Sequence, residues 1–342
     1  MKKNISIVFL SRRFWPDVGG VEKHVYEISK RLIKKGYKVI VITESLGKEN
    51  KLGGIQIERI RKAPNNWFKK FYIWKWMFNH VDLLQKADVV HAHDVFYWYL
   101  PFKLLFLSKK SFVTFHGYES YPIARKSIIF RKMSEYLSDG NITVGDFIKK
   151  WYYTKPNFVI YGGVDIPKQN VKPKRLDSAI FIGRLDEHTG ILDYARAVDL
   201  IRKGNPKFDF AIVGDGVYKK RLKRFKPLGF KNDSIKYLKQ YNFAFVSRYL
   251  SILEALANRR LVFALYDNPV KEDYLRMAPF SKFIIVEKSA ENLIEKIKYF
   301  QKNPKEAERL IGDGFEWVKN QTWENLIKTY LRLWKTSGSH IE

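Results

Sequence analysis

The sequence predicts an α/β protein built as two doubly wound, parallel-sheet domains. Three observations carry this. Short β-branched runs alternate with helical periodicity through the first half. The alternation restarts after residues 162–176, a Pro- and Lys-containing stretch with few apolar side chains. The strand-like runs are continuously apolar, as strands covered on both faces should be.

The elements follow in order. Residues 5–10 read as a buried strand. After Pro16-Asp17-Val18-Gly19-Gly20, the spacing of Val21, Val25, Ile28 and Leu32 predicts a helix over 21–35, with Gly36 as its terminator. Strands are expected at 39–43, 87–91, 112–115, 141–144 and 158–161. In the second half they fall at 178–182, at 208–213 ending in Gly214-Asp215-Gly216, and at 243–246, 261–265 and 283–286. A helix is expected over 190–202. An amphipathic helix over 320–335 carries Trp323, Leu326, Tyr330 and Trp334. The domain boundary is placed near 163–175.

Composition narrows the function. At 342 residues and 46% hydrophobic, the chain can bury a sizeable core, which argues against intrinsic disorder. Having no cysteine, it has no disulfide, thiolate zinc site or cysteine nucleophile. Its 63 Lys and Arg against 35 Asp and Glu give +28, which points to a polyanionic neighbour. High lysine with no cysteine also hints at a thermophile. Residues 5–10 are too short for a signal peptide. The greasiest run, 95–107, is 13 residues long and contains Pro101 and Lys103, so it does not span a bilayer. The expectation is a cytoplasmic protein, peripheral on the inner membrane face.

Gly19-Gly20 between a strand and a helix suits phosphate, because the backbone can come close to the helix N-terminus; the same pair can be a plain turn. The G-x-G-x-x-G fingerprint is absent, so no dinucleotide cofactor is expected. His91, His93 and His116 fall at strand ends, where doubly wound proteins place function. They read either as site residues or as core histidines satisfied by backbone groups. His91-Ala92-His93 has metal-ligand spacing, but with no third ligand evident no metal is expected. Glu254, among apolar residues on a helix, is either a surface position or a buried acceptor for a ligand hydroxyl.

Taken together, these pieces resemble the retaining glycosyltransferases of the GT-B fold, specifically glycosyltransferase family 4, over nearly the whole chain. The segments are Pro16 through His24, Val90-His91-Ala92-His93, Thr114-Phe115-His116-Gly117, Ile160 through Asp165, and Phe181-Ile182-Gly183-Arg184-Leu185. Ile212 through Gly216 and Leu253-Glu254-Ala255-Leu256-Ala257 complete the set. The resemblance implies two Rossmann-like domains facing a central cleft: an acceptor-binding domain, 1–165, and a donor-binding domain, 172–320. A helix, 321–342, crosses back to the first domain. It implies that His116 contacts the transferred sugar and that Arg184 neutralises the leaving diphosphate. Gly19, Gly20, Gly183, Gly214 and Arg248 lie along the donor, and Glu254 holds its ribose. His91, His93 and Glu119 stand on the acceptor side. The donor is a nucleotide sugar and the acceptor a lipid-linked or cell-surface glycan. No separate cofactor and no covalent nucleophile are implied.

The chain departs from the family at three places. Thr189 stands where lysine is usual, Val246 replaces the first of two glutamates, and the stretch 216–241 is short. Losing one charged donor to a phosphate costs ~1.5–3 kcal/mol, an amount that Arg248 or His188 can restore. The favoured reading is an active enzyme with rewired donor recognition. The alternative is a non-catalytic GT-B-like binding subunit.

Residues 61–80, 96–112 and 125–132 mix lysine and arginine with aromatics, among them Arg61, Lys62, Lys69, Lys70 and Lys75. That mixture fits an anionic bilayer interface. The other reading is amphipathic helices whose aromatics face the core. No nucleic-acid-binding signature is present, and nucleic acid is not expected as a partner. Lys219-Lys220-Arg221 with Lys223-Arg224 reads as a solvated helix face.

Overall fold

The computed structural model describes residues 5–61, 65–168, 176–231 and 233–336. Lys62 and residues 169–175 of the expected linker lie outside the described residues. The chain forms two compact units. One comprises Met1–Ile160 and Trp323–Glu342, the other Tyr161–Thr322.

The first unit is an eight-stranded sheet. Its strands are β1 Ser6–Ser11, β2 Lys38–Thr43, β3 Lys51–Leu52, β4 Ile55–Arg59, β5 Val89–His93, β6 Ser111–Phe115, β7 Gly140–Val144 and β8 Phe158–Ile160. The order is β3-β4-β2-β1-β5-β6-β7-β8, and every pairing is parallel except β3 with β4. β1, β5, β6 and β7 are buried along their whole length, which is why their apolar runs are unbroken.

Two details differ from the expectation. β5 runs two residues later than the expected 87–91, because its register against β1 carries Ser11 opposite His93. The hairpin β3–β4 went unread. Gly53 and Gly54 both have positive φ (55° and 89°), as a two-residue hairpin turn of this kind requires, and Ile55-Gln56-Ile57-Glu58 alternates in burial.

The helix Trp323–Thr336 belongs to this unit. Its inner face buries Trp323, Leu326, Ile327, Tyr330, Leu333 and Trp334. It packs against the helix Gly20–Lys34, with Arg31 Nε donating to Glu324 Oε1 at 2.9 Å.

The second unit is a parallel five-stranded sheet of β9 Ser178–Ile182, β10 Asp209–Val213, β11 Phe243–Phe245, β12 Leu261–Leu265 and β13 Ile285–Glu287, in the order β10-β9-β11-β12-β13. Its core is aromatic. Tyr194, on the helix Ile191–Gly204, stacks on Phe245 with ring centroids 4.9 Å apart. Its hydroxyl donates to the Phe263 carbonyl and accepts the Leu265 N–H, both at 2.9 Å. Phe283, expected to open the last strand, instead ends the turn Pro279–Phe283. Lys219–Phe225 is a 3-10 segment, and beneath its cations Leu222 and Phe225 are buried.

Candidate functional site

Strand order fixes where chemistry can sit. In the first unit the chain winds outward from β1 through β2 and β4, then returns to β5 and winds the other way. The carboxyl ends of β1 and β5 therefore flank a topological switch point, where a doubly wound sheet leaves a crevice. Gly19 and Gly20 lie on the connection leaving β1. Gly19 caps the helix Gly20–Lys34 in extended conformation, and a Cβ at Gly20 would meet nothing within 4 Å. His93 ends β5, and His116 follows β6 immediately.

A third histidine, His24, comes from the first turns of the helix Gly20–Lys34. Its ring centroid lies 4.7 Å from that of His116 and 5.9 Å from that of His93, and the latter two are 5.1 Å apart. His93 Nδ1 and His116 Nε2 share a hydrogen bond of 2.8 Å. The Asp94 carboxylate accepts the His116 backbone N–H at 2.9 Å, which anchors the loop after β6.

Behind this trio runs a chain of buried hydrogen bonds. Trp334 Nε1 donates to His91 Nδ1 at 3.1 Å. An indole can only donate, so a neutral His91 carries its proton on Nε2, 2.8 Å from Thr114 Oγ1. Thr114 Oγ1 lies 3.0 Å from the Tyr330 hydroxyl, which lies 2.9 Å from His24 Nε2. Burial pushes His24, His91 and His93 well below the usual imidazole range, and His116 lowers each further. His116 itself is half-buried; desolvation, then the Arg131 guanidinium, push it down to about 3. All four rings are neutral at pH 7. His91 is thus a satisfied core histidine, but its partners are side chains rather than backbone groups.

Glu119 is occupied otherwise. It accepts Arg131 Nη2 at 2.9 Å and the Tyr152 hydroxyl at 2.5 Å. Desolvation would raise its carboxyl, but Arg131 and Tyr152 outweigh that and hold it below the usual range. It braces the loop Gly117–Glu119, whose Gly117 carbonyl also accepts from Arg131.

The second unit repeats the logic. β9 and β11 flank its switch point and pair Phe181 with Phe245. Arg184 and Arg248 each follow three residues beyond that pair. Arg184 is exposed, its Nε 3.3 Å from Asp186 Oδ2. Gly183 donates its N–H to the Val213 carbonyl at 3.1 Å. Gly214 has φ 155°, and a Cβ there would sit 1.8 Å from the Gly183 oxygen. Arg248 caps the helix Tyr249–Ala257, and the buried Glu254 lies six residues on, roughly 9 Å along the axis.

Two of the three departures from the family pattern, Thr189 and Val246, are absorbed internally. Thr189 is buried and its hydroxyl reaches the carbonyls of Arg184 at 2.9 Å and Asp186 at 2.8 Å. Val246 is 1% exposed, and its N–H continues the ladder to Phe263 at 3.1 Å. Lys271, also buried, donates to the Ser247 carbonyl and lies 4.5 Å over the Tyr274 ring. Burial, then Arg248, hold its ammonium well below the usual range.

Sequence reasoning missed His24, Tyr330 and Lys271. Helical spacing puts His24 and Tyr330 on inward faces, yet no pattern signals that residues 306 positions apart meet.

Two family models match the chain, one for each half. Glycosyltransferase Family 4 matches residues 18–168, and Glycosyl transferases group 1 matches 164–317. Among curated proteins, the chain is 24% identical over 246 residues to one subunit of the phosphatidylinositol N-acetylglucosaminyltransferase of Arabidopsis thaliana, covering 65% of this chain and 55% of the relative. It thus spans about half the length of the curated relatives it matches. A glycosyltransferase from Rickettsia africae ESF-5 superposes with a TM-score of 0.74 at 17% identity, over 98% of this chain and 99% of that one. WaaG, a glycosyltransferase involved in lipopolysaccharide biosynthesis, does so at 0.68 and 13%, over 97% and 100%. At such identities the structures speak for the fold alone, a pair of Rossmann-like domains. With the two models together spanning residues 18–317, the chain is a family 4-like glycosyltransferase of the GT-B fold.

Proposed function

We propose that the protein moves a hexosyl group from a nucleoside-diphosphate sugar to a hydroxyl of a lipid-linked acceptor, with retention of anomeric configuration. The observation that carries this is the edge of the second unit: Arg184 and Arg248 follow the two strands that flank the switch point, with Gly183 just after β9 and Gly214 beside it just after β10, where cations and close-approaching backbone suit a departing diphosphate. Glu254 is the candidate for the ribose hydroxyls. His116, neutral at pH 7, serves the sugar as a hydrogen-bonding dipole rather than as a cation. Retention comes from the family resemblance, and NMR of the product's anomeric proton reads it directly.

The first test is direct binding. Uridine, guanosine and adenosine diphosphates are compared with their nucleosides by thermal shift and calorimetry. One diphosphate should raise the melting midpoint by mass action. Arg184→Ala should weaken that diphosphate about 10- to 100-fold, as expected for losing ~1.5–3 kcal/mol of charged hydrogen bonding, and leave the nucleoside unchanged. No stabilisation by any nucleotide would remove the reading.

Support for a membrane-held acceptor comes from the helix Lys69–Asn79 and its approach. Ile73 and Met77 form its buried stripe, whereas Trp67, Phe68, Phe71 and Phe78 remain exposed, with Lys70 over the Trp67 and Phe71 rings. In 96–112 the aromatics Phe96, Trp98, Tyr99 and Phe102 are core, and the exposed apolar residues are Leu104, Leu105 and Leu107. No helix among the described residues is long and apolar enough to cross a membrane. A peripheral position on the cytoplasmic leaflet accords with the +28 charge. The relatives named for phosphatidylinositol point to the same acceptor class. Wild type should co-sediment with phosphatidylserine vesicles and not with neutral ones. Replacing Trp67, Phe68 and Phe71 together by Asp should lower partitioning at least about tenfold. Equal sedimentation with both vesicle types would rule the membrane surface out.

A second reading, a non-catalytic binding subunit, draws on Thr189 and Val246, whose side chains are committed to packing. It requires that transfer be absent from wild type and from variants alike.

A further inference from the structure

We infer that His24, His93 and His116 form a binding site for a divalent transition-metal ion. One ring nitrogen of each lies within 4.8 Å of one nitrogen of both others, and the three rings come from separate elements: a helix, a strand end and a loop. Around a tetrahedral ion with nitrogens at 2.0–2.1 Å, the ring centroids of three histidines stand about 5 Å apart. The observed separations of 4.7, 5.1 and 5.9 Å bracket that value.

The protonation states also fit. A metal takes the lone pair of a neutral imidazole, and burial keeps all three rings neutral. His93 Nε2 is buried with no hydrogen-bond partner among the described residues. An orphaned lone pair is cheaper there than an orphaned N–H, so the His93 proton belongs on Nδ1, facing His116. On binding, that hydrogen bond opens; each ring gives the ion one lone pair and keeps its single proton on its other nitrogen. For His24 an outer partner already exists, since its Nε2 lies 2.9 Å from the Tyr330 hydroxyl. Three imidazoles with no carboxylate select Zn2+, Co2+, Ni2+ or Cu2+ over Mg2+ and Ca2+. His116 is half-buried, so the fourth position is left to solvent.

An occupied site commits the lone pair of His116 and so acts as a brake on transfer. That consequence rests on the role proposed for His116; the binding does not, and the two can fail separately.

The test uses the full chain without a histidine tag, stripped by chelator and titrated with Co2+. We expect one ion per chain and the intense visible bands of tetrahedral cobalt, displaced by Zn2+. Loss of an outer partner alone costs 10- to 100-fold in affinity, so His93→Ala and His24→Asn should each weaken Co2+ by at least about 100-fold. His80→Asn, a histidine stacked on Trp76, should leave affinity unchanged. Wild type lacking stoichiometric cobalt bands overturns the site whatever the variants do. So does a folded His24→Asn, verified by circular dichroism, that keeps wild-type affinity.

Discussion

His116→Ala is expected to lower kcat about 10²- to 10³-fold while leaving the donor KM within about threefold. Among the described residues the side chain makes one hydrogen bond, to His93, so its removal costs about 1 kcal/mol of stability and the protein stays folded. What is lost is a neutral dipole, anchored from two sides: His93 fixes the ring and Asp94 fixes the backbone N–H. Steady-state transfer assays on both proteins decide the matter. A variant with wild-type kcat would strip His116 of any catalytic part. A raised KM with unchanged kcat would recast it as a binding residue.

Gly214→Ala is expected to destabilise the second unit by at least about 3 kcal/mol. A φ of 155° costs an L-residue ~1–3 kcal/mol by itself. The added methyl would also overlap the Gly183 oxygen, which is backbone and has no rotamer to yield. Differential scanning calorimetry should show a fall of roughly 6–12 °C for a unit of this size. Because Gly183 precedes Arg184, diphosphate affinity should fall with it. A midpoint within 2 °C of wild type would mean that the turn can rearrange.

These two sites differ in how far the sequence reveals them. The places of Gly214 and Arg184 just past strand ends were legible because a buried parallel strand has an unbroken apolar signature, whereas the roles assigned to them came from the family resemblance alone. β3 and β4 escaped because they lie at a sheet margin, where Lys51-Leu52 is too short to register and Gly53-Gly54 can be read as an ordinary loop. His24 escaped for a different reason. Periodicity assigns it a helix face but not a neighbour, and its partner Tyr330 arrives only through tertiary packing. Thr189 and Val246 were visible as departures, but not that the fold uses them internally: a hydroxyl spent on two carbonyls and a valine sealed under a ladder. The aromatics of 67–78 and 96–102 look alike in sequence, yet only the first group has members left bare.

The interrupted composition of the first unit has a consequence for how a cell makes this protein. Its strands are finished by Ile160, but the helix that supplies Tyr330 and Trp334 is translated only after Thr322. At 5–20 residues per second, roughly 8–30 s separate the two events on the ribosome. During that interval the imidazoles wait without their phenol and indole, while the intervening sheet is free to fold to completion. The seat of the carboxyl-terminal helix on the amino-terminal sheet therefore stays open until synthesis is nearly over.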